Sequence, residues 1–437
     1  MKTKPNPHSI GIVSLGCAKN LVDTEILMKQ LEASHFRLIL DPGDNDLLDT
    51  AIINTCGFIL DAKQESIDTI LQFVEAKKTG RLKNLFVMGC LSQRYKEELL
   101  KEIPEVDEFY GVSDLKQIIE RVGGEFRSNL IGERYLTTPS HYAYLKIAEG
   151  CDRSCSFCSI PAIRGNHVSK PMEQVISEAE SLIRQGVKEI NVISQDTTYY
   201  GVDLYKKRKL PELLSKLASL PGLEWLRLHY TYPDGFPLEL LDVLNNHTNI
   251  CRYIDIPLQH ISSRILKSMK RGMNEDETRR LVHSIRSAVP GVAIRTTFIV
   301  GYPGETEKEF EELKEFVRTS RFERMGVFMY SHEEDTAAFT YTDDIPAGVK
   351  QARLDELMEI QEGISFELNQ ARIGQLVKII IDRKEGEYFI GRTAIDSPEV
   401  DNEVLIRAGK DDLVIGNFYT VQIISADQFD LHGKIHE

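Results

Sequence analysis

Three cysteines lie within a span of eight residues in the stretch "GCDRSCSFCSIPAIRG", at positions Cys151, Cys155 and Cys158. Closely spaced thiolates are ligands for zinc or for an iron–sulfur cluster, and both sites usually take four protein ligands. Zinc would need a fourth Cys or His at suitable spacing, and His167 lies nine residues after the last cysteine. Three thiolates can instead hold three irons of a 4Fe–4S cluster, which leaves the fourth iron open to a small chelating cofactor. The spacing therefore favours an incomplete iron–sulfur site.

A second set of cysteines is dispersed along the chain but shares one structural context. Cys17, Cys56 and Cys90 each end a short apolar run, in "SLGC", "INTC" and "VMGC". Because the carboxyl ends of parallel strands meet at one edge of a sheet, we expect these three thiols to lie at one site. The alternative is three buried cysteines that act as small hydrophobic residues. The seventh cysteine, Cys251, is predicted to be an ordinary strand-edge residue.

The elements that must position these cysteines follow from apolar periodicity. Strand–helix alternation from residue 9 to about 135 predicts a parallel α/β sheet. Six further strand candidates separated by helical patterns predict a partial TIM-type (βα)6 barrel, and the cysteine loop after "YAYLKIAEG" lies at its mouth. Short strands from about residue 372 predict a small antiparallel barrel of the OB type, preceded by a linking helix. The fold class is α/β, and the predicted domains are 1–135, 136–370 and 371–437.

Composition restricts the environment and the partners. No apolar run approaches the roughly 20 residues of a membrane span, so we expect a cytoplasmic protein with no membrane partner. In that compartment the seven cysteines should be reactive or metal-binding rather than disulfide-bonded. The net charge of −14 argues against a large nucleic-acid-binding surface, which needs clustered Lys and Arg. It favours a basic protein or peptide partner.

The pattern CxxxCxxC after a first strand, with Phe157 before the last cysteine and βα units after it, resembles the radical S-adenosylmethionine (SAM) superfamily. In that superfamily SAM chelates the open iron, and its reductive cleavage yields methionine and a 5′-deoxyadenosyl radical that abstracts an unactivated hydrogen. The resemblance implies that Cys151, Cys155 and Cys158 hold a 4Fe–4S cluster and that SAM is a cofactor.

The arrangement of the whole chain resembles the methylthiotransferases, which have an N-terminal three-cysteine domain, a radical SAM domain and a terminal TRAM barrel. The resemblance implies that Cys17, Cys56 and Cys90 hold a second 4Fe–4S cluster with an open iron, which carries the sulfur that is methylated and inserted. One SAM would be the methyl donor and another the radical source. No catalytic side chain is assigned, since a radical rather than a general base removes the hydrogen.

Two substrate classes occur in that family: adenosine in tRNA, and an aspartate of the small-subunit ribosomal protein S-twelve. The stretches "SLGCAKNLVDTE", "AIRTTFIVGYPGETE" and "GRTAIDSPEVDNEV" resemble the ribosomal-protein branch. Residues 371–437 contain 8 Lys and Arg but 12 Asp and Glu, whereas an RNA-binding barrel should be basic. We therefore expect methylthiolation of the aspartate β-carbon. The alternatives are the tRNA-adenosine enzyme, a non-enzymatic iron–sulfur protein and a zinc-bound RNA module.

The implied partners are ribosomal protein S-twelve, free or in the small subunit, and an electron donor of the reductase or flavodoxin type. tRNA is disfavoured as a partner. The sequence does not identify the sulfur donor.

Further residues near strand ends are candidates for contact with SAM. Gln195 and Asp196 follow "EINVI" and could bind the ribose or amino groups, although a loop cap explains them equally well. Gly301 could let the backbone approach SAM closely, or belong to a turn before a capped helix. Arg295 interrupts an apolar strand, and a buried arginine needs an anion, for which we consider a carboxylate of SAM or of the substrate. Arg164 follows the clustered cysteines. The sequence does not distinguish a role in adjusting the properties of the cluster from a surface contact.

Overall fold

The computed structural model describes residues 8–409 and 413–436. Its contacts divide the chain into two compact units. The first runs up to Thr137 and also includes Glu149–Arg153 and Cys158–His167. The second comprises Thr138–Ala148, Ser154–Phe157 and the chain from Val168 onward. The three domains expected from the sequence, 1–135, 136–370 and 371–437, stay a prediction.

The first unit is built on a five-stranded parallel sheet with the strand order β2-β1-β3-β4-β5. Alternate residues of the central strands enter opposite apolar clusters: Ile53 and Val87 pack on one side, Ile52 and Phe86 on the other. Burial on both faces explains why these strands are almost continuously apolar. The strands are β1 Ser9–Ser14, β2 Arg37–Leu40, β3 Leu48–Thr55, β4 Leu82–Gly89 and β5 Glu108–Phe109; the helices are α1 Ala18–Ala33, α2 Leu60–Lys78, α3 Cys90–Glu102 and α4 Leu115–Arg121.

The central region forms an open sheet of six parallel strands, in the order β13-β12-β11-β10-β9-β6. Helices separate most of the strands, as the predicted (βα)6 partial barrel requires. The strands of this region are β6 Tyr142–Lys146, β7 Ala148–Glu149, β8 Val168–Ser169, β9 Glu189–Ile193, β10 Trp225–Leu228, β11 Ile250–Asp255, β12 Ala293–Val300 and β13 Arg324–Met329. The helices are α5 Ile160–Arg164, α6 Met172–Arg184, α7 Val202–Tyr205, α8 Leu210–Ala218, α9 Glu239–Asn246, α10 Ser263–Ser268, α11 Glu275–Ala288 and α12 Glu307–Ser320.

The predicted linking helix is α13, Ala347–Gln370, and it leads into a closed five-stranded barrel. The barrel order is β14-β15-β16-β18-β17, and the β16–β18 pair is parallel whereas the other pairs are antiparallel. Its strands are β14 Leu376–Glu385, β15 Tyr388–Thr393, β16 Val404–Arg407, β17 Phe418–Ala426 and β18 Leu431–Ile435.

The segment between β15 and β16 contacts the six-stranded sheet through polar side chains. Its residues pair with residues on or next to the strands: Asp396 with Arg324, Ser397 with His229, Glu399 with Tyr142 and Tyr144, and Asp401 with Arg295 and Tyr253. Sequence periodicity did not indicate this insertion, because ion pairs between distant segments leave no periodic pattern.

The insertion changes the meaning of the charge count for the terminal barrel. Asp382, Asp396 and Asp401 form largely buried pairs with positively charged or polar partners, and Arg392 is itself buried against Glu189. These groups contribute little to the outer surface. The surface of residues 371–437 is therefore less acidic than their composition indicates, and it favours a basic partner less strongly.

Glu189 is expected to be a main contributor to the stability of the second unit. Its fully buried carboxylate lies between Arg227, at 2.9 Å, and Arg392. Replacing Glu189 by Ala leaves two buried guanidinium groups without their shared anion, which should cost about 3–5 kcal/mol. The measurement is the midpoint of urea-induced unfolding. The matched control is Glu224→Ala, because the Glu224–Lys378 pair is half exposed on both sides and should contribute about 1 kcal/mol or less. Equal shifts for the two variants would contradict the prediction.

Candidate functional site

The three dispersed cysteines follow three neighbouring strands, at the same edge of the N-terminal sheet. Cys17 caps α1 after β1, Cys56 directly follows β3, and Cys90 begins α3 directly after β4. The strands β1, β3 and β4 are adjacent, and Thr55 is in register with Gly89. The parallel register therefore brings the start of each following segment to one place.

The surroundings of these thiols are tightly packed. Gly16 has a left-handed φ of 88°, and a Cβ there would lie 2.7 Å from Cβ and 3.0 Å from Sγ of Cys56. The Asn20 side chain donates to the carbonyl of Thr55 at 3.0 Å, and its Oδ1 accepts from the Cys90 thiol at 3.8 Å. Asn20, one turn into α1, thus connects the strand ends that carry Cys56 and Cys90.

Cationic side chains act on all three thiols. Burial raises the pKa of Cys17, but Lys19, backbone N–H groups and Arg164 outweigh it, so that the net pKa is lowered. Burial raises the pKa of Cys56 and raises that of Cys90 to about 11, and in both cases Arg164 opposes the shift. The site therefore favours the thiolate form most strongly at Cys17, and thiolates are the form that binds metal.

Substituting Gly16 by Ala is expected to reduce the iron bound at this edge. The new methyl group would displace Cys56, and the left-handed backbone adds roughly 1–2 kcal/mol of strain. The measurement is iron per chain after anaerobic reconstitution. Gly123→Ala is the control, because Gly123 has a similar φ of 86° but no atom within 4 Å of its added Cβ. Iron contents that fall equally in both variants would show that strain, rather than the position of Cys56, is responsible.

The clustered cysteines lie on the loop that follows β6 and β7. The Cys151 N–H donates to the Gly165 carbonyl at 3.0 Å, and the His167 N–H donates to Asp152 at 2.8 Å. Gly150 has a φ of 72°, and a Cβ there would lie 2.0 Å from the Asn166 carbonyl oxygen. The two ends of the loop are therefore closely joined.

Cys155 belongs to the second unit and contacts two other residues of that unit. Arg271 donates to its Sγ at 3.4 Å, and the Tyr232 hydroxyl lies 3.4 Å from the same sulfur. The Arg271 guanidinium also stacks on the Tyr232 ring, 4.2 Å from the ring centre.

The donor sets fit iron–sulfur clusters. Each set offers three thiols, which are soft ligands suited to such clusters. In the described ranges, 8–409 and 413–436, no three His, Cys, Asp or Glu side chains are arranged to hold a single metal ion. A 4Fe–4S cluster does not require that arrangement, because each thiolate binds a different iron. The assignment of the six cysteines as cluster ligands stays a prediction.

The inner face of the six-stranded sheet carries polar residues with unused hydrogen-bonding capacity. Asn191 is fully buried, in register with Tyr144 on one side and Arg227 on the other. Neither amide atom of Asn191 bonds to another residue within the described part of the chain. A buried amide without partners is costly, so we expect a polar ligand or an ordered water to satisfy it. Gln259, with a left-handed φ of 72° and an unbonded Oε1 among the described residues, lies just beyond β11.

The four predicted SAM contacts fall in different surroundings. Gln195 and Asp196 follow β9 as predicted, and the Asp196 carboxylate accepts from the Thr198 hydroxyl at 2.5 Å. Arg295 lies between two carboxylates of the chain itself, at 3.4 Å from Asp255 and 3.3 Å from Asp401. Its charge is thus already balanced within the protein.

Gly301 packs against the chain's own residues. A Cβ at Gly301 would lie 2.3 Å from Cγ of Lys350, and the Gly301 N–H donates to Glu305. Thr306 caps α12 with a reciprocal bond from Glu309. The capped-helix turn that the sequence left as an alternative is therefore present, and it accounts for the glycine without a ligand.

Asn191 and Arg271 were not identified from the sequence. A signal for the first was available: "YAYLK", "EINVI" and "WLRLH" alternate polar and apolar residues, whereas strands of a parallel sheet buried in apolar surroundings are continuously apolar. Alternation in a parallel barrel indicates a polar interior. Arg271 lies far along the chain from Cys155, and no sequence pattern links the two.

Comparison with known proteins identifies the family of the chain. Three family models match the chain: the radical SAM superfamily over residues 145–317, the uncharacterized protein family UPF0004 over residues 9–111, and the TRAM domain over residues 373–435. Within the part of the chain that the structure describes, no helix is long and apolar enough to cross a membrane.

Proteins named ribosomal protein uS12 methylthiotransferase RimO are similar to nearly the whole chain. The protein from Bacteroides thetaiotaomicron is 57% identical over 98% of this chain and 98% of its own length. Those from Flavobacterium johnsoniae and Cytophaga hutchinsonii are 53% and 52% identical, over 99% and 100% of this chain and the full length of each relative. The chain belongs to this family of uS12 methylthiotransferases.

Solved structures show the same fold at low identity. The radical SAM methyltransferase TsrM from Kitasatospora setae aligns with a TM-score of 0.54 at 15% identity, over 74% of this chain and 75% of that chain. The cobalamin-dependent radical SAM enzyme OxsB aligns with a TM-score of 0.53 at 13% identity, over 82% of this chain and 56% of that chain.

Several predictions made from the sequence are confirmed by membership of the uS12 methylthiotransferase family. They are the α/β fold class with its terminal TRAM barrel, the identification as a radical SAM transferase, and the cofactors, two 4Fe–4S clusters and SAM. The ribosomal-protein branch is supported over the tRNA branch.

Proposed function

We propose that this chain attaches a methylthio group to the β-carbon of one aspartate in ribosomal protein uS12. The observation that carries the proposal is sequence identity. The chain is 57% identical, over 98% of its length, to a protein named for that activity. The two three-thiol sets support it, because sulfur insertion needs one open site for the radical cofactor and another for the sulfur. A uS12 substrate agrees with the expected cytoplasmic location.

Each cysteine set would hold one cluster. Cys17, Cys56 and Cys90 would bind the cluster that accepts sulfur, and the CxxxCxxC loop would bind the cluster that accepts SAM. When bound, the clusters and SAM supply the radical and the methylthio sulfur. The protein binds and orients these groups, and its buried, polar interior limits the access of water to them. No side chain is assigned as a general base.

SAM would bind against the polar inner face of the six-stranded sheet. We include Asn191 with the four residues inferred from the sequence, Gln195, Asp196, Arg295 and Gly301. The free amide of Asn191 supports its role, since SAM presents amino, carboxylate and hydroxyl groups that could satisfy it. Arg295 and Gly301 already have partners within the chain, so a role for them in SAM binding requires that SAM contact these pairs from outside.

Replacing Asn191 by Ala is expected to weaken SAM binding about 10-fold, which is the lower end of the value of one hydrogen bond to a charged ligand. The measurement is a titration of the reconstituted protein with SAM. Asn245→Ala is the control, because the Asn245 side chain is exposed on α9 and its amide donates to the Ala288 carbonyl. Unchanged affinity in Asn191→Ala would remove Asn191 from the site, and the same titration on Arg295→Ala tests the contact proposed there.

Two partners beyond the substrate are part of the proposal. Reductive cleavage of SAM requires an electron, which we assign to a reductase or flavodoxin-type donor. The sulfur donor is left open. The substrate can be free uS12 or uS12 within the small subunit.

Mass spectrometry of a strain that lacks this gene discriminates the two substrate classes. Loss of the methylthio group from the uS12 peptide, with tRNA unchanged, is the expected result. Loss from tRNA with the peptide unchanged would establish the tRNA-adenosine enzyme instead. If reduced wild-type protein carried both clusters but cleaved no SAM, a non-enzymatic iron–sulfur role would replace the proposal.

A further inference from the structure

Arg164 is a buried cation that belongs to the cysteine loop and reaches the other cysteine set. It is the last residue of α5, six positions after Cys158, and its side chain is only 2% exposed. The segment that carries it, Cys158–His167, belongs to the same compact unit as the N-terminal sheet. A guanidinium buried to this extent is unfavourable unless it has several well-placed partners.

The partners of Arg164 lie next to cysteines of both sets. Nη2 donates to Asn20 Oδ1 at 2.5 Å, and Asn20 is three residues after Cys17. Nη1 donates to Glu149 at 2.8 Å, two residues before Cys151. One planar group therefore joins the start of α1 to both ends of the cysteine loop.

Other bonds extend this connection. Nη1 of Arg164 also donates to Asp23, on the next turn of α1, at 3.3 Å. Asn20 in turn bonds the Thr55 carbonyl, next to Cys56, and accepts from Cys90. Through Asn20, the guanidinium is thus linked to the segments of all three dispersed cysteines.

The charge of Arg164 acts on the same three thiols. Its guanidinium forms a side-chain hydrogen bond with Cys90 and acts electrostatically on Cys17 and Cys56. An arginine is always charged, so this cation stays beside the three thiols.

We propose that Arg164, through Asn20, is a positioning residue that fixes the spacing between the two cysteine sets and sets the reduction potential of the cluster at Cys17, Cys56 and Cys90. This inference rests on the proposed two-cluster function. Arg164 touches neither substrate nor SAM in the proposal. It acts on the reaction by holding the segment Cys158–His167 of the cysteine loop against the start of α1, within the first unit.

Two consequences follow from the physics of clusters. A cation near a cluster stabilises its reduced, more negative state, so removing Arg164 should make the potential of the N-terminal cluster more negative. Without the bonds to Asn20, Asp23 and Glu149, the distance between the two cysteine sets should become more variable. The spin–spin interaction between two reduced clusters depends on the distance between them. The splitting that it causes in the electron paramagnetic resonance spectrum should therefore become smaller or more broadly distributed.

The test compares Arg164→Met and Arg164→Lys in the full chain after anaerobic reconstitution. Lysine keeps the charge but lacks the planar fork that spans several acceptors. The readouts are iron per chain, the spectrum of the doubly reduced protein, and the potential of the N-terminal cluster. That potential is measured in a background in which the three loop cysteines are replaced by alanine. Arg134→Met is the matched control, because Arg134 is also a fully buried arginine that pairs with a residue of α1. Its partner is Glu25, on the helix that carries Asn20 and Asp23.

Arg164→Met is expected to shift the potential to more negative values and to weaken the spin interaction, and Arg164→Lys to restore the potential but not the interaction. Loss of iron in Arg164→Met but not in Arg134→Met also supports the proposal. An unchanged potential and spectrum in Arg164→Met would overturn it, as would equal changes in Arg134→Met. The proposed function fails separately, if the wild-type protein does not carry two clusters or does not modify the uS12 peptide.

Discussion

Replacement of Cys17, Cys56 and Cys90 by alanine is expected to abolish methylthiolation of a uS12 peptide while reductive cleavage of SAM continues. The three cysteines follow adjacent strands at one edge of the sheet, and they are the ligands proposed for the sulfur-carrying cluster. The SAM-binding cluster would stay in place on its own loop. The measurement is 5′-deoxyadenosine and the mass of the peptide in one anaerobic reaction.

Cys251→Ala is the control for this triple variant. Cys251 is buried in an apolar cluster with Trp225 and Tyr253, and burial raises the pKa of its thiol to about 11. Its loss should leave both readouts close to the wild-type values. Peptide methylthiolation that persisted in the triple variant would disprove a role for the dispersed cysteines in sulfur transfer.

Replacement of Cys151, Cys155 and Cys158 by alanine is expected to abolish both SAM cleavage and methylthiolation. Without these thiolates no cluster is available to deliver an electron to SAM, so the radical has no source. Iron should fall by about half, because the N-terminal site keeps its own cluster. Iron analysis and the production of 5′-deoxyadenosine measure the two effects.

The two triple variants form a matched pair. Each removes three thiols and one cluster, yet only the loop variant should stop SAM cleavage. If the loop variant also lost all of its iron, the two clusters would depend on one another for assembly. If it retained SAM cleavage, the assignment of the CxxxCxxC loop to SAM would be wrong.

The sequence allowed the fold and both cysteine sets to be predicted for a physical reason. A cysteine directly after a parallel strand must lie at the carboxyl edge of the sheet, so "INTC" and "VMGC" specify a common location without knowledge of side-chain contacts. The register of Thr55 with Gly89 then makes Cys56 and Cys90 neighbours.

The parts that were not predicted depend on contacts between distant segments. The insertion of residues 394–403 against the six-stranded sheet joins Asp396 to Arg324 and Asp401 to Arg295. No periodicity encodes such pairs. Arg295 illustrates the result: an arginine in an apolar strand does need an anion, as the sequence indicated, but the chain supplies that anion itself.

Arg164 lies between these two cases. Its position beside the cysteine loop is visible in the sequence, but its role is not, because its partners Asn20 and Asp23 are more than a hundred residues away. Local position showed that it is near one cysteine set, and only the folded structure links it to the other.

The central claim is that a radical removes hydrogen from the β-carbon of a uS12 aspartate, and isotope transfer tests it most directly. A uS12 peptide with deuterium at that β-carbon is incubated anaerobically with the reconstituted enzyme, SAM, a reductant and sulfide. The proposed function predicts deuterium in the 5′-deoxyadenosine and one methylthio group on the same aspartate. 5′-Deoxyadenosine without deuterium, from a reaction that nevertheless modifies the peptide, would contradict it.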